Sequence, residues 1–183
     1  MIVIQMTGLS GAGKSTIAQA THKHLVDLGY QVELIDGDHY RKHLCHDLGF
    51  SKADRLENVR RLGFVALTLA RHGIISIMAA INPYEEGRAK LHEQSPLVKT
   101  VFVDCPLSMT TNRDPKGLYR KALLPEDHPE HIGHFTGISD PFEPPMSADL
   151  VLKTDIETID ESVQRLVQFI IEHIECKVSD TKV

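Results

Sequence analysis

The sequence predicts an α/β three-layer sandwich, in which a parallel five-stranded sheet lies between two layers of helices, with a lid loop. Three observations carry this prediction. Short apolar runs alternate with helical stretches, which implies parallel strands joined by right-handed crossovers. The first apolar run leads into a glycine-rich turn and then a helix. The length of 183 residues suits one ordinary globular domain with a single core.

Five apolar runs are predicted to form the strands. Strands buried on both faces of a parallel sheet read as continuous apolar runs rather than as an alternating pattern. These runs are residues 2–6, 32–35, 74–81, 98–103 and 150–152.

The helices between the strands show start and stop signals. The stretch 14–28 has helical spacing and is closed by Gly29, a typical C-terminal cap. Ser51 is the expected N-cap of a helix that reaches residue 71, with Asp54 placed for a capping box. Another helix is predicted to begin at Asn82-Pro83, because proline is favoured at the first helical position.

One long segment shows no period. Residues 125–147 hold five prolines and three histidines, and a loop of this length is usually disordered or a functional lid. We assign residues 1–178 to a single domain, 113–147 to its lid and 179–183 to a loose tail.

The composition disfavours several classes of protein. A net charge of -5 and 5% aromatic residues argue against a nucleic-acid binder. The apolar runs fall short of the ~20 residues that span a bilayer, and the N-terminus has no secretory signal pattern. We expect no membrane partner and a cytoplasmic location. The three cysteines form no CxxC pair, so reduced thiols are expected rather than disulfides or a zinc site.

The sharpest motif is a full GxxxxGK[ST] between the first strand and the first helix, which predicts a P-loop NTPase or kinase fold. Its backbone N–H groups converge on phosphate oxygens. Lys14 adds a positive charge for the β- and γ-phosphates of ATP, and Ser15 offers a hydroxyl to Mg²⁺. The predicted ATP-binding residues are Gly8, Leu9, Ser10, Gly11, Ala12, Gly13, Lys14, Ser15 and Thr16.

The second strand ends in Asp36-Gly37-Asp38. At the carboxyl edge of a parallel sheet, both carboxylates can face the crevice where ligands bind. One can hold Mg²⁺ through water while the other accepts a proton from an attacking hydroxyl. A pair of turn acids without chemistry is the alternative. The chain lacks an NKxD base-reading motif, which disfavours a GTPase switch.

Basic residues concentrate in two places. Arg55 and Asn58 are three residues apart on one helix face, and with Arg41 they can hold a doubly charged acceptor group. A solvated charged face is the alternative, and an equally good one for Arg60 and Arg61. The segment 113–121, with Arg113 at its start, carries a net charge of +3 and suits a basic lid over polyphosphate.

Together these motifs resemble the adenylyl-sulfate kinase family over nearly the whole chain. Besides the P-loop and the acid pair, the resemblance rests on Leu48-Gly49-Phe50-Ser51, Asp54-Arg55-x-Glu57-Asn58-Val59-Arg60-Arg61, Arg113-Asp114-Pro115-Lys116-Gly117-Leu118-Tyr119 and Phe135-Thr136-Gly137-Ile138. It implies transfer of the γ-phosphate of ATP to the 3′-hydroxyl of adenosine 5′-phosphosulfate (APS), giving 3′-phosphoadenylyl sulfate and ADP in sulfate activation. It also implies Mg²⁺ and a homodimer, with ATP sulfurylase as a candidate partner.

The resemblance implies roles for individual residues. Asp38 resembles the family's base and Asp36 its supporting carboxylate, so that Ser15 and Asp36 would hold Mg²⁺, directly or through water. Lys116 resembles the lid lysine near the transferred phosphoryl group, and Arg113 is expected to bind the ATP phosphates. The set that resembles acceptor-binding residues is Arg41, Phe50, Arg55, Asn58, Ile81, Lys116, Gly117, Leu118 and Phe135. In this set Phe50 and Phe135 sandwich the acceptor adenine, and two core phenylalanines are the alternative.

The sequence departs from the family pattern at two positions, both expected to lie on the acceptor side. Asn82 stands where serine is usual, so a phosphoserine cannot form there and direct in-line transfer is expected. His39 stands where asparagine is usual, and with His43 it is expected to shape the acceptor pocket. The spacing of the lid histidines 128, 131 and 134 suits a metal, but without a neighbouring cysteine we expect none there.

Two other functions stay open on the sequence alone. A related kinase could act on a different nucleotide with a charged 5′ group, for which Asn82 and His39 are the motive. A catalytically silent nucleotide-binding subunit is the second alternative, although Lys14, Ser15 and both acids are present.

Overall fold

Five parallel strands form one sheet in the order β2-β3-β1-β4-β5, in a computed structural model that describes residues 1–180, with side chains up to residue 175. The strands are β1 (Val3–Thr7), β2 (Val32–Asp36), β3 (Ile75–Ala79), β4 (Val98–Asp104) and β5 (Leu150–Lys153). All five predicted strands are confirmed, with shifts of one or two residues at their ends. The strand that carries the P-loop is the central one.

Helices cover both faces of this sheet. They are α1 (Lys14–Asp27), α2 (Gly37–His43), α3 (Lys52–Arg71), α4 (Glu85–Gln94), α5 (Leu107–Arg113), α6 (Leu118–Ala122) and α7 (Ile159–Asp180). Helices α1 and α7 pack together on one face, and α3 and α4 pack on the other. The predicted three-layer sandwich is confirmed.

Alternate residues of β1 pack on opposite faces of the sheet, and all five residues of the strand are buried. Ile4 and Met6 belong to the core cluster that includes Leu166 of α7, whereas Val3 belongs to the opposite cluster with Leu62 of α3. Because both faces are covered, both sets of side chains must be apolar or hydrogen-bonded.

Helix α3 begins as its sequence predicts. The hydroxyl of Ser51 accepts a hydrogen bond from the Asp54 amide at 3.2 Å, and the Ser51 amide donates to the Asp54 carboxylate at 3.3 Å. This reciprocal pair satisfies two amides that the first helical turn leaves without backbone partners.

The predicted start of α4 is wrong. The helix begins at Glu85 with Tyr84 as its N-cap, not at Asn82-Pro83. Asn82 has a left-handed backbone with φ of 45°, and its carbonyl accepts hydrogen bonds from Thr7 and Arg88. These tertiary contacts hold the chain at the end of the sheet. The helix therefore begins two residues after Pro83, the predicted first helical position.

Four helices, α2, α5, α6 and α7, have no counterpart in the prediction. Helix α6 and the end of α5 lie within the segment 113–147 assigned to the lid, whereas residues 125–147 carry no helix or strand. Helix α7 continues through Ser179 and Asp180, the first two residues of the expected loose tail. No glycine or proline follows residue 159 to end the helix; residues 181–183 lie outside the described part.

Two of the three cysteines can be described. Cys45 and Cys105 are buried free thiols, and the side chain of Cys176 lies outside the described part. Within residues 1–180, none of the helices combines the length and the apolar character needed to cross a membrane.

Candidate active site

The predicted phosphate-binding residues lie at the carboxyl edge of the sheet, between β1 and α1. Gly8 allows the loop to pass close to the neighbouring strand: a Cβ there would lie 2.5 Å from the carbonyl oxygen of Val103, and φ is 152°. Its amide donates to the carbonyl of Ile81 at 3.2 Å. The backbone of Ile81, expected to border the acceptor, is thus joined directly to the P-loop.

Lys14 is buried beneath the loop that it serves. Its ammonium group donates to the carbonyls of Gly8 at 3.0 Å and Leu9 at 2.7 Å. Burial, followed by the positive charge of Lys116, lowers the pKa of Lys14 to about 8. A phosphate bound here would favour the charged form of this lysine again.

Ser15 and Asp36 meet across the crevice. The Ser15 hydroxyl donates to Oδ2 of Asp36 at 3.1 Å. The other carboxylate oxygen caps α2, accepting from the amides of Asp38 at 3.0 Å and His39 at 3.1 Å. Two hard oxygen donors beside a phosphate loop fit Mg²⁺, which keeps water and substrate phosphates as its other ligands. Among the side chains of residues 1–175, no three His, Cys, Asp or Glu form a separate metal cluster.

Asp38 contacts the lid. Its carboxylate accepts a hydrogen bond from Nζ of Lys116, and both side chains remain more than half exposed. Asp38 follows Asp36 by two residues, so one turn presents one carboxylate to Ser15 and the other to the lid lysine.

Arg41 and Arg55 surround the ring of Phe50. Their guanidinium carbons lie 4.3 Å and 5.5 Å from the ring centroid, within the range of cation–π contacts. Phe50 is 56% exposed, so one part of its ring is open to a ligand.

Arg55 and Asn58 are buried, as expected for a face turned inward rather than a solvated one. Nε of Arg55 donates to the carbonyl of Phe50 at 3.0 Å, and Nη2 donates to the carbonyl of His134. Oδ1 of Asn58 is a buried oxygen without a hydrogen-bond partner in the described structure. Arg60 and Arg61 instead pair with Glu57, which supports the structural alternative for them.

Phe135 is in a different environment from Phe50. It is 7% exposed and meets Tyr119 edge-on, with ring centroids 4.9 Å apart, in a small cluster with Ala122 and Leu118. Phe135 thus belongs to a hydrophobic core of the lid, and its stacking on an adenine stays a prediction.

Arg113 and Gly117 frame the start of the lid. Nη2 of Arg113 donates to the carbonyl of Thr154 at 2.6 Å. Thr154 in turn donates from its hydroxyl to the carbonyl of Ala12 in the P-loop at 2.8 Å. Gly117 precedes α6 with φ of 64°. Arg113 therefore supports the P-loop through Thr154, and its contact to ATP stays a prediction.

Comparison with known proteins identifies this arrangement. The family model described as adenylylsulphate kinase matches residues 1–153. The chain belongs to the adenylylsulphate kinase family. The family and the enzyme class predicted from the motifs are confirmed: this is a kinase with a P-loop fold.

Individual relatives of this adenylylsulphate kinase cover most of its length. The adenylyl-sulfate kinase of Chloroflexus aurantiacus is 49% identical over 166 residues, which is 91% of this chain and 87% of the relative. That of Deinococcus deserti is 50% identical over 165 residues, 90% and 88% of the two chains. The solved APS kinase of Mycobacterium tuberculosis, in complex with AMPPNP and APS, is 42% identical with a TM-score of 0.85, covering 92% of this chain and 96% of that one.

In this adenylylsulphate kinase the side chain of Asn82 lies in the core, contrary to its expected place on the acceptor side. It is buried, and Nδ2 donates to Oε1 of Gln5 at 3.3 Å. The contacts of its carbonyl to Thr7 and Arg88 hold the backbone at this position. Asn82 therefore gives no reason to expect an unusual acceptor.

The histidines of the kinase have separate surroundings. The exposed ring of His39 packs against that of His43, 4.8 Å between centroids, at the start of the segment that leads to Phe50. In the lid, His131 pairs through Nδ1 with the carbonyl of Leu124 at 2.8 Å, and Nδ1 of His128 accepts from the Glu130 amide at 3.1 Å.

Sequence reasoning missed three side chains that join parts of the site. Thr154 supports the P-loop, the Tyr119 hydroxyl donates to the carbonyl of Ser10 at 2.9 Å, and Asp140 approaches Arg55. The position of Thr154, just beyond the last strand at the ligand-binding edge, was an available signal. The partners of Tyr119 and Asp140 are far away in sequence, so no local pattern predicts these contacts.

Proposed function

We propose that this kinase transfers the γ-phosphate of ATP to the 3′-hydroxyl of APS, giving 3′-phosphoadenylyl sulfate and ADP. The observation that carries the proposal is the junction of the donor and acceptor sides at one turn. Asp36 contacts Ser15 of the P-loop, while Asp38 contacts Lys116 of the lid. The family membership and the APS bound in the solved relative support this acceptor.

On the donor side, the P-loop amides and Lys14 would hold the ATP phosphates. Ser15 and Asp36 would hold Mg²⁺, which supplies positive charge against the phosphates when it is bound. Lys14 exchanges its two carbonyl contacts for phosphate oxygens, because a charged acceptor makes the stronger hydrogen bond.

On the acceptor side, Arg41, Arg55 and Asn58 would hold the phosphosulfate and ribose. The exposed ring of Phe50 would stack on the adenine, and Phe135 would approach it from the lid. Ile81 would border the acceptor with its backbone, and Gly117 and Leu118 would lie near it at the start of α6.

The chemical step is direct transfer. The 3′-oxygen forms a bond to the γ-phosphorus as the bond to the β,γ-bridging oxygen breaks, and the hydroxyl proton passes to Asp38. Lys116 donates a hydrogen bond to the carboxylate of Asp38. A bound γ-phosphate would compete for this lysine and leave the carboxylate free to act as a base.

The test is ADP release from purified protein with Mg-ATP. We expect turnover with APS, and little with adenosine phosphates or cytidine and uridine analogues. Turnover confined to a pyrimidine acceptor would contradict the proposed substrate while keeping the kinase chemistry. Binding of ATP and 3′-phosphoadenylyl sulfate without turnover would instead indicate a silent subunit.

The wider setting follows from the same proposal. We expect a cytoplasmic homodimer, with ATP sulfurylase as the candidate source of APS. Mass measurement in solution tests the dimer, and co-purification tests the partner.

A further inference from the structure

Asp140 lies where the lid meets helix α3. Its Oδ2 lies 3.6 Å from Nη2 of Arg55, and its Oδ1 lies 3.5 Å from Nδ1 of His134. The Arg55 and Asp140 side chains are only 10% and 15% exposed, so this ion pair is shielded from solvent. No motif and no family resemblance assigned a role to Asp140.

Asp140 closes a compact lid turn, residues 135–140. The carbonyl of Phe135 accepts hydrogen bonds from the amides of Ile138 at 3.0 Å and of Ser139 and Asp140 at 3.1 Å. The Gly137 amide donates to the carbonyl of Asp140 at 2.7 Å, and the Phe135 amide donates to Oγ of Ser139 at 2.9 Å. These bonds make Phe135 and Asp140 the two ends of one unit.

Among the described residues, two of the three guanidinium nitrogens of Arg55 make hydrogen bonds. Nε donates to the Phe50 carbonyl, and Nη2 donates to the His134 carbonyl beside the Asp140 carboxylate. Among the described residues Nη1 makes no hydrogen bond. A guanidinium is planar, so contacts at Nε and Nη2 fix the direction of the Nη1 edge.

Three buried oxygens without hydrogen-bond partners in the described structure lie on the same two elements, and one of them is Oδ2 of Asp140 itself. Oδ1 of Asn58 is on α3, three residues after Arg55, and Oγ1 of Thr136 is in the lid turn. Buried polar atoms are normally paired, so unpaired ones here indicate a site that a polar ligand completes.

Resting on the proposed function, we infer that Asp140 is a positioning residue for the acceptor. It orients Arg55 so that the Nη1 edge is available to the anionic group of APS, and it joins the lid turn that carries Phe135 to helix α3. Asp140 acts through Arg55 and does not itself contact APS.

The experiment compares Asp140→Asn with Glu130→Gln, a matched loss of a lid carboxylate that pairs with Lys121 at 2.9 Å, away from Arg55. For Asp140→Asn we expect the KM for APS, and its Kd measured without ATP, to rise about tenfold. The KM for ATP, kcat and Tm should change little. Glu130→Gln should leave all of these values near wild type.

A double-mutant cycle separates action through Arg55 from a general effect on folding. In the Arg55→Lys background, Asp140→Asn should add less than about a twofold further rise in the KM for APS. An unchanged or lowered KM for APS in Asp140→Asn would overturn the inference, as would equal losses of kcat for both variants and additive effects in the cycle. If wild type failed to turn over APS, the proposed function itself would fail.

Discussion

At the scale of single residues, Asp38 combines an exposed position with an exposed ion-pair partner, Lys116 of the lid. It lies in the first turn of α2, and its carboxylate accepts a hydrogen bond from the ammonium group of Lys116. Exposed ion pairs contribute little to stability. The pair can therefore separate at small cost when a phosphate competes for the lysine.

We expect Asp38→Asn to lower kcat for APS by about 10²- to 10⁴-fold, because the amide cannot accept the hydroxyl proton. The KM for ATP should change little. Steady-state ADP release measures both values, with Asp27→Asn, an exposed change at the end of α1, as the control. A loss of less than about tenfold would contradict the role of Asp38 as a base.

Phe50 and Phe135 show that two residues with the same expected role in the acceptor site can have different surroundings. The resemblance gave both the same role, and the structure gives them opposite surroundings. Phe50 is exposed between two guanidinium groups, and Phe135 is buried against Tyr119. The burial of Phe135 depends on a partner in helix α6, Tyr119, which the sequence neighbours of Phe135 do not reveal.

At the scale of elements, features that depend on residues close in sequence were predicted well, and features that depend on tertiary contacts were not. The capping box at Ser51 and the P-loop involve residues close in sequence, so their patterns are visible in the chain. The start of α4 depends on Arg88 and Thr7, which hold the carbonyl of Asn82. The short helices α2, α5 and α6 contain too few residues to show a period.

The close packing of α3 against α4 gives a prediction about stability. A Cβ on Gly63 would lie 2.5 Å from Cδ1 of Leu91, which is 2% exposed and cannot move aside freely. We expect Gly63→Ala to lower the free energy of unfolding by about 1–3 kcal/mol, despite the better helix propensity of alanine.

Leu91→Ala supplies the matched test of this packing. Alone it should cost about 2–5 kcal/mol, because it leaves a cavity. In the double variant the new methyl group enters the space that Leu91 vacates, so the total loss should be smaller than the sum. Urea denaturation measures all three variants, and strictly additive losses would refute the contact.

The turn between α2 and α3 gives a prediction about pH. Hydrogen bonds from Arg61 lower the pKa of Asp47 to about 2, and those from Arg60 and Arg61 lower the pKa of Glu57 to about 2. A carboxyl group with a lowered pKa stabilises the folded state above its ordinary pKa, and this contribution disappears as pH falls toward the folded value.

We therefore expect Arg61→Gln to destabilise the protein at neutral pH and the difference from wild type to shrink as pH falls through about 4 toward about 2. Arg71→Gln is the control, since Arg71 bonds only to the Thr68 hydroxyl among the described residues. Chemical denaturation over this pH range measures the difference, and a constant gap for Arg61→Gln would contradict the pairing.

At the scale of the whole molecule, the lid contacts both halves of the site. Tyr119 donates to Ser10 of the P-loop at 2.9 Å and packs against Phe135. The lid turn also touches the P-loop, where a Cβ on Gly137 would lie 2.9 Å from Leu9. We therefore expect binding at the P-loop and binding at the acceptor side to be coupled through the same lid packing.

Tyr119→Phe tests this coupling, because it removes one hydroxyl and keeps the ring against Phe135. Burial raises the pKa of Tyr119, so the phenol stays protonated and donates at neutral pH. We expect the affinity for APS to gain less from a bound, non-hydrolysable ATP analogue than in wild type, by about two- to tenfold. Calorimetric titration of APS with and without the analogue measures this gain. Tyr30→Phe, on the α1 side of the core, should leave it unchanged; an equal gain in Tyr119→Phe and wild type would show that the lid does not transmit binding through Ser10.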